Sequence, residues 1–133
     1  MLGKIHFYLG IIVVVIFLLT GQYMHHNFNH MKEMEPMNRA LFRAGHLYIL
    51  LFGLINVSLG TYFQISDMSF VRKIQIVASL IIFSATFLII YGFFKELPTE
   101  QIERPLTRNA LYLILFGVSV HGLISLVKER AHK

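Results

Sequence analysis

The chain has 133 residues, enough for one domain, and 56% of them are hydrophobic whereas only 14% are charged. Soluble domains of this size need a more polar surface, so the composition excludes most soluble classes and indicates helices that face lipid. The absence of cysteine excludes disulfides, zinc–thiolate sites and iron–sulfur clusters. The net charge is +5, but the basic residues form no continuous run, which argues against nucleic acid as a partner.

Four apolar runs follow one another along the chain, at about 5–24, 40–63, 74–94 and 106–127. A segment of about 20 apolar residues spans a hydrocarbon core about 30 Å thick. None of the runs contains proline, and within lipid the helix satisfies all backbone groups of a single segment. The connections are short, so successive helices must run antiparallel. We therefore predict a single transmembrane domain over residues 1–133, an all-α up-down bundle of four helices.

The residues between the runs predict where the helices begin. Asn38 is expected to cap the second helix, and Ser69 is expected to cap the third. Pro105 stands where proline is favoured, in the first turn of the fourth helix.

The orientation in the membrane follows only weakly from the basic residues. If both termini lie on one side, the twelve Lys and Arg residues of the chain divide equally between the two sides of the membrane. The positive-inside rule therefore favours neither orientation. The cluster Lys128, Arg130 and Lys133 beside the last span favours cytoplasmic termini. We expect a bacterial cytoplasmic membrane with that orientation.

The connection after the first run is rich in histidine and methionine. It contains the candidate metal ligands His25, His26, His30, Met31, Met34 and Met37. Thioether sulfur suits Cu(I) and imidazole suits Cu(II), so one interpretation is a copper site. If this stretch is helical, the three methionines share one face. The alternative is that methionine fills irregular gaps at the membrane interface.

A seven-residue repeat runs along the second helix, at Arg39, His46, Gly53 and Gly60. Such a repeat marks one seam of a left-handed helix pair, where glycine allows close approach or leaves room for a flat ligand. Arg39 and Arg43 can reach lipid headgroups or pair with an anion such as a haem propionate. His46 is then either a packing histidine or a cofactor ligand.

Two further histidines lie in the first and fourth runs. On the fourth, Ala110, Gly117 and His121 share one face, which predicts a packing seam of small residues. His6 lies at the start of the first run, and its position alone predicts an interfacial residue without a special role.

Membrane histidines in a cysteine-free bundle raise the hypothesis of haem b. From the same end of the bundle, His46 lies about six residues in and His121 about fifteen, a depth difference of roughly 13 Å. One haem does not bridge that gap, so these two are not an axial pair. His25 or His26 paired with His46 remains as a haem site near the first connection. His6 and His121 share the opposite end of the bundle, but their depths differ by about 7 Å, so a haem between them is less favourable.

Catalytic machinery is scarce, because no carboxylate is expected inside a span and no nucleotide-binding or nucleophile motif is present. We predict a non-enzymatic membrane protein that acts through helix–helix contacts, as an accessory subunit or by self-association. This interpretation requires small residues left on the outer surface after the helices pack. One alternative is a redox or metal-binding membrane protein with haem b or copper near the first connection. Another is an oligomeric pore or lipid-binding protein whose polar path is lined by Asn56, Ser79, Ser84, Thr86 and Asn109.

Overall fold

A computed structural model describes residues 1–96 and 102–131, and the side chains of His30 and of residues 126–131 lie outside that description. The described chain forms four long helices and one short 3-10 turn. These are α1 (Leu2–Asn27), the turn (Asn29–Met31), α2 (Pro36–Tyr62), α3 (Ser69–Glu96) and α4 (Pro105–Ala131). The described residues contain no strand. The predicted all-α, four-helix fold is therefore confirmed.

Each helix is long and apolar enough to cross a membrane, and for α4 this already holds for the described side chains of Pro105–Ser125. Every helix begins before its apolar run, and all but α2 also end after it, because backbone hydrogen bonding continues where the side chains become polar at the membrane surface. Four such helices in one short chain indicate an integral membrane protein.

The helix starts require two corrections. Pro36 opens α2 directly after Glu35, so Asn38 lies inside the first turn and its predicted capping role is wrong. Proline suits this place because its fixed φ is helical and its missing N–H needs no partner there. Ser69 is the first residue of α3, so it lies inside the helix and its predicted capping role is wrong as well, whereas Pro105 begins α4 in the position predicted for it.

The connection between α1 and α2 turns back over a few residues. Phe28 ends α1 outside the helical conformation, and Asn29 and Met31 have positive φ angles of 42° and 60°. Non-glycine residues adopt such angles rarely, and asparagine does so more easily than most. The helical path is therefore interrupted between the two helices.

The bundle consists of two helical hairpins, α1/α2 and α3/α4, joined by a smaller contact between α2 and α3. Glycines set the spacing inside the first hairpin. A Cβ atom at Gly10 would lie 2.5 Å from the backbone nitrogen of Val57, and one at Gly60 would lie 2.5 Å from that of Phe7. The backbones of α1 and α2 are thus in direct contact, as small residues permit in membrane helix pairs.

Two apolar clusters occupy the interior. The first contains Val13, Met24, Met31, Phe42, Ile49 and Phe93. The second joins α2, α3 and α4 through Phe52, Ile82, Ala85, Ile89, Ala110 and Ile114. Because lipid tails are as apolar as these side chains, close packing rather than the hydrophobic effect stabilises them. The buried polar side chains lie mainly outside these clusters, nearer the end of the bundle that carries the amino terminus.

Candidate functional site: a buried histidine layer and an adjoining cleft

A layer of polar side chains fills the interior near the amino-terminal end of the bundle. All four helices contribute to it, with His6, Asn56, Ser79, Thr86 and His121. All five residues are buried, and four of them have no exposed surface. Burying a polar group is costly unless it is hydrogen-bonded, so each member of this layer needs a partner.

The hydrogen bonds of Asn56 determine which atoms in the layer carry protons. Its Nδ2 donates to the carbonyl of Phe52 and to Thr86 Oγ1, at a distance of 2.9 Å in each case. Thr86 Oγ1 in turn donates to the carbonyl of Ile82. Since backbone carbonyls only accept, Asn56 Oδ1 must be the atom that faces His6, 2.8 Å from its Nδ1. His6 therefore donates through Nδ1–H. In the neutral ring its Nε2 then holds a lone pair, and this buried atom has no partner in the described structure.

His121 adjoins His6 from α4. The two ring centres lie 6.3 Å apart with their planes at 87°, and His121 Nε2 lies 3.1 Å from the hydroxyl of Ser79. The ring of Phe83 lies 4.3 Å from that of His6, and the ring of Phe63 lies 5.0 Å from that of His121. Aromatic side chains thus enclose the histidine pair.

The structure corrects the interpretation of His6, which is fully buried rather than interfacial. A sequence signal for this exists in α1. His6, Gly10 and Val13 are spaced by three or four residues, and all three are buried. That spacing keeps them on one helix face, the face that α1 turns toward α2.

An open cleft of about 1030 Å³ adjoins the histidine layer, between the carboxyl-terminal halves of α2 and α4. Its apolar lining includes Leu54, Ile55, Leu59 and Val118, and its polar lining includes Ser58, Gln75, His121 and Ser125. A Cβ atom placed on Gly122, which also lines the cleft, would meet nothing within 4 Å. A concave, mostly apolar surface with a few polar groups is the usual form of a binding site.

His46 lies in the contact between α1 and α2, toward the opposite end of the bundle. Its ring stacks on Phe17 with centres 4.1 Å apart, and its Nδ1 lies 3.1 Å from Thr20 Oγ1. Because Thr20 Oγ1 donates to the carbonyl of Phe17, it accepts from His46 Nδ1–H. A Cβ atom at Gly21 would lie 3.5 Å from His46 Nε2. His46 is therefore a partnered histidine in a helix contact.

The predicted metal-binding segment after the first helix is divided in the structure. His25 and His26 lie at exposed positions at the end of α1, with ring centres 4.9 Å apart. The side chain of His30 lies outside the described residues. Within the described ranges, no three His, Asp or Glu side chains come close enough together to hold a metal ion.

The three methionines of this segment do not share a helical face, so that expectation is wrong. Met31 belongs to the short turn, Met34 lies in a bend just before α2, and Met37 lies in α2. Met31 and Met34 pack into the first apolar cluster, whereas Met37 is 52% exposed. Met31 and Met34 are thus used in packing.

The two arginines of α2 take different positions. Arg39 donates through Nη2 to the carbonyls of Lys32 and Met34, at distances of 3.1 and 3.0 Å. This side chain therefore hydrogen-bonds the α1–α2 connection to the first turn of α2. Arg43 is exposed.

The predicted packing glycines lie inside the hairpins. Gly53 and Gly60 lie in the α1/α2 contact, and Gly117 lies in the α3/α4 contact, where a Cβ atom would come 2.6 Å from Ile82 Cγ1. His121, predicted on the same seam as Gly117, belongs to the polar layer described above.

The residues expected to line a pore are separated from one another. Asn56, Ser79 and Thr86 are buried between the helices, whereas Ser84 and Asn109 are exposed on the outer surface. These five side chains therefore do not line one path through the chain.

Glu96 is a second residue whose role the sequence did not reveal. Although it ends α3, it is only 8% exposed. Its carboxylate accepts hydrogen bonds from the backbone N–H groups of Leu106 and Thr107 and from the Thr107 hydroxyl. These N–H groups belong to the first turn of α4, where no helical carbonyl is within reach. Burial lowers the pKa of the adjacent Arg104 guanidinium, and the charge of Glu96 opposes that shift.

Replacing Glu96 with alanine is expected to destabilise the bundle by about 2 kcal/mol, because it removes a charged acceptor from three donors. Thermal unfolding in one detergent would measure the loss. Glu103→Ala is the matched control, since Glu103 is exposed and lies in the same connection. Equal stability of the two variants would contradict the capping role of Glu96.

No protein-family model, no curated protein and no solved structure matches this chain. The histidine layer and the cleft beside it are therefore the basis for a functional proposal.

Proposed function

We propose that this chain is a non-enzymatic integral membrane protein that acts through helix–helix contacts, as an accessory subunit of a larger membrane complex. The observation that carries the proposal is the cleft between α2 and α4. It runs along the outside of the bundle, and several residues of its lining are exposed, among them Ser58, Gly122 and Ser125. Its occupant is a transmembrane helix of a partner chain.

The small residues of the cleft support a helix as the occupant. Four glycines already lie in helix contacts within the two hairpins: Gly10, Gly53, Gly60 and Gly117. Gly122 faces open space, and the small side chains of Ser125 and Ser58 line the same cleft. Helices in lipid associate where small residues let backbones approach and where hydroxyl groups can hydrogen-bond across the contact.

The size of the cleft agrees with this occupant. A helix about 10–12 Å in diameter has a cross-section of about 90 Å², so about two helical turns fill a volume of this magnitude. The connections between the four helices are short, since none has more than eight residues. Recognition of a partner therefore falls mainly on the membrane-embedded surface.

Photo-crosslinking in native membranes tests the proposal. A photoreactive amino acid at Ser58, Gly122 or Ser125 is expected to give one discrete adduct with another membrane protein, identified by mass spectrometry. Placed at Leu115 or Phe116, which are exposed on α4, it is expected to give lipid adducts only. The variant Gly122→Phe, which fills the cleft, should abolish the adduct formed from Ser58 and lower the mass of the native complex.

Three other results would change the conclusion. Lipid adducts alone at the cleft positions would make the cleft a lipid-binding surface. An adduct of twice the chain mass would show self-association in place of a complex with a different protein. Equal adducts at Leu115 and Gly122 would show that the cleft has no special role.

A further inference from the structure

The buried histidine pair has a feature that helix packing does not require. His6 is fully buried, its Nδ1–H is committed to Asn56, and its Nε2 has no partner in the described structure. A buried acceptor without a donor is costly, so some species is expected to bind this lone pair. A histidine whose other ring nitrogen donates to a carbonyl oxygen is the usual arrangement of a metal ligand, because that bond sets the tautomer and the ring orientation.

His121 supplies a second imidazole at a suitable separation. With metal–nitrogen bonds of about 2.0 Å and about 1.1 Å from each ring nitrogen to its ring centre, two imidazoles on opposite sides of one ion have centres about 6.2 Å apart. The centres of His6 and His121 are 6.3 Å apart. The Ser79 hydroxyl next to His121 Nε2 can rotate to accept from Nε2–H, which leaves the lone pair on the other nitrogen.

The surroundings select the kind of ion. Among the described residues, no acidic side chain is buried in this half of the bundle, and Asp67, in the nearby α2–α3 connection, is exposed. A divalent ion with two neutral ligands would keep its full charge in a medium of low dielectric constant, which is unfavourable. A monovalent, soft ion such as Cu(I) carries less charge and needs fewer ligands, and imidazole is a ligand of copper as well as of divalent metals.

We propose that His6 and His121 together bind one Cu(I) ion, with His6 Nε2 as one ligand and Asn56 and Ser79 orienting the two rings. The cleft supplies an access route, because His121 forms part of its lining. This site is separate from the methionine-rich connection after α1, and it does not depend on the helix-binding role of the cleft.

Anaerobic titration of the detergent-purified protein tests the site. Cu(I) is supplied as its coloured bicinchoninate complex, and loss of colour reports transfer to the protein. The wild type is expected to take up one Cu(I) per chain. His6→Ala and His121→Ala are each expected to weaken binding by about 100-fold or more, and Ser79→Ala by about 10–100-fold, as for residues that orient a ligand. His46→Ala and the pair His25→Ala and His26→Ala are controls that should bind as the wild type does.

The variant His6→Met separates a ligand role from a structural one. A thioether is a good ligand for Cu(I), so a folded His6→Met protein should retain binding that His6→Ala loses. Absence of stoichiometric uptake by the wild type would overturn the proposal. So would unchanged affinity in His121→Ala, a preference for Zn²⁺ over Cu(I), or loss of binding in Met31→Leu with His6 and His121 intact.

Discussion

Replacing Gly10 with alanine is expected to destabilise the protein by about 3 kcal/mol, the upper part of the range for overpacking a tight contact. The added Cβ would lie 2.5 Å from the backbone nitrogen of Val57 and 2.8 Å from the carbonyl oxygen of Gly53. Both neighbours are backbone atoms, so no side-chain rotation relieves the clash. The two helices must move apart, and the contacts along the whole hairpin loosen together.

Gly122→Ala is the matched control for this effect. Gly122 also lies in a helix, but its added Cβ would meet nothing within 4 Å, so only helix propensity changes, by up to about 1 kcal/mol in favour of alanine. Unfolding of both variants by increasing SDS in mixed micelles, followed by circular dichroism, would measure the difference. Equal stability of the two proteins would show that α1 and α2 lie farther apart than this packing requires.

Replacing Asn56 with leucine is expected to cost about 2 kcal/mol. Leucine has a similar size, so the packing changes little, but His6 Nδ1–H loses its acceptor in the bundle interior. An unsatisfied buried donor costs about 1–3 kcal/mol. Within membranes the lost bond itself accounts for only part of this, because the less folded state finds other partners.

A double-mutant cycle distinguishes the hydrogen bond from a general packing defect. His6→Leu alone should cost a similar amount, since it leaves Asn56 Oδ1 without its donor. The double variant His6→Leu with Asn56→Leu should cost at least about 1 kcal/mol less than the sum of the two. The measurements use metal-free buffer, so that ion binding does not contribute. Additive losses would contradict a hydrogen bond between His6 and Asn56.

The helices were predictable because each requirement is local. Any uninterrupted apolar run of about 20 residues must form a helix in lipid, whatever its neighbours are. Proline marked two helix starts for an equally local reason, at Pro36 and Pro105. The predicted caps at Asn38 and Ser69 were wrong because each helix begins earlier than the cap implied, α2 at Pro36 and α3 at Ser69 itself.

The candidate site was predicted only in part. The repeat of His46, Gly53 and Gly60 identified the face of α2 that meets α1, because a seven-residue spacing is visible in one helix alone. The pairing of His6 with Asn56 was not visible, since these residues lie 50 positions apart in the chain and meet only when α1 packs against α2. The similar depth of His6 and His121 could be estimated from the sequence, but their approach could not, since it requires the two hairpins to dock. The prediction that Met31, Met34 and Met37 share one face depended on a local assumption, that the connection after α1 is helical. The structure shows that it is not.

The sequence by itself thus determined the number of helices, their class, and the glycines that allow two helices to touch, because lipid imposes these requirements on each segment separately. The tertiary structure alone decided which polar side chains share an interior, which nitrogen of His6 is left with a lone pair, and where a cleft remains between α2 and α4. These features depend on how two hairpins rotate and tilt against each other. No single helix carries that information, since its pattern identifies a buried face but not the residue that the face will meet.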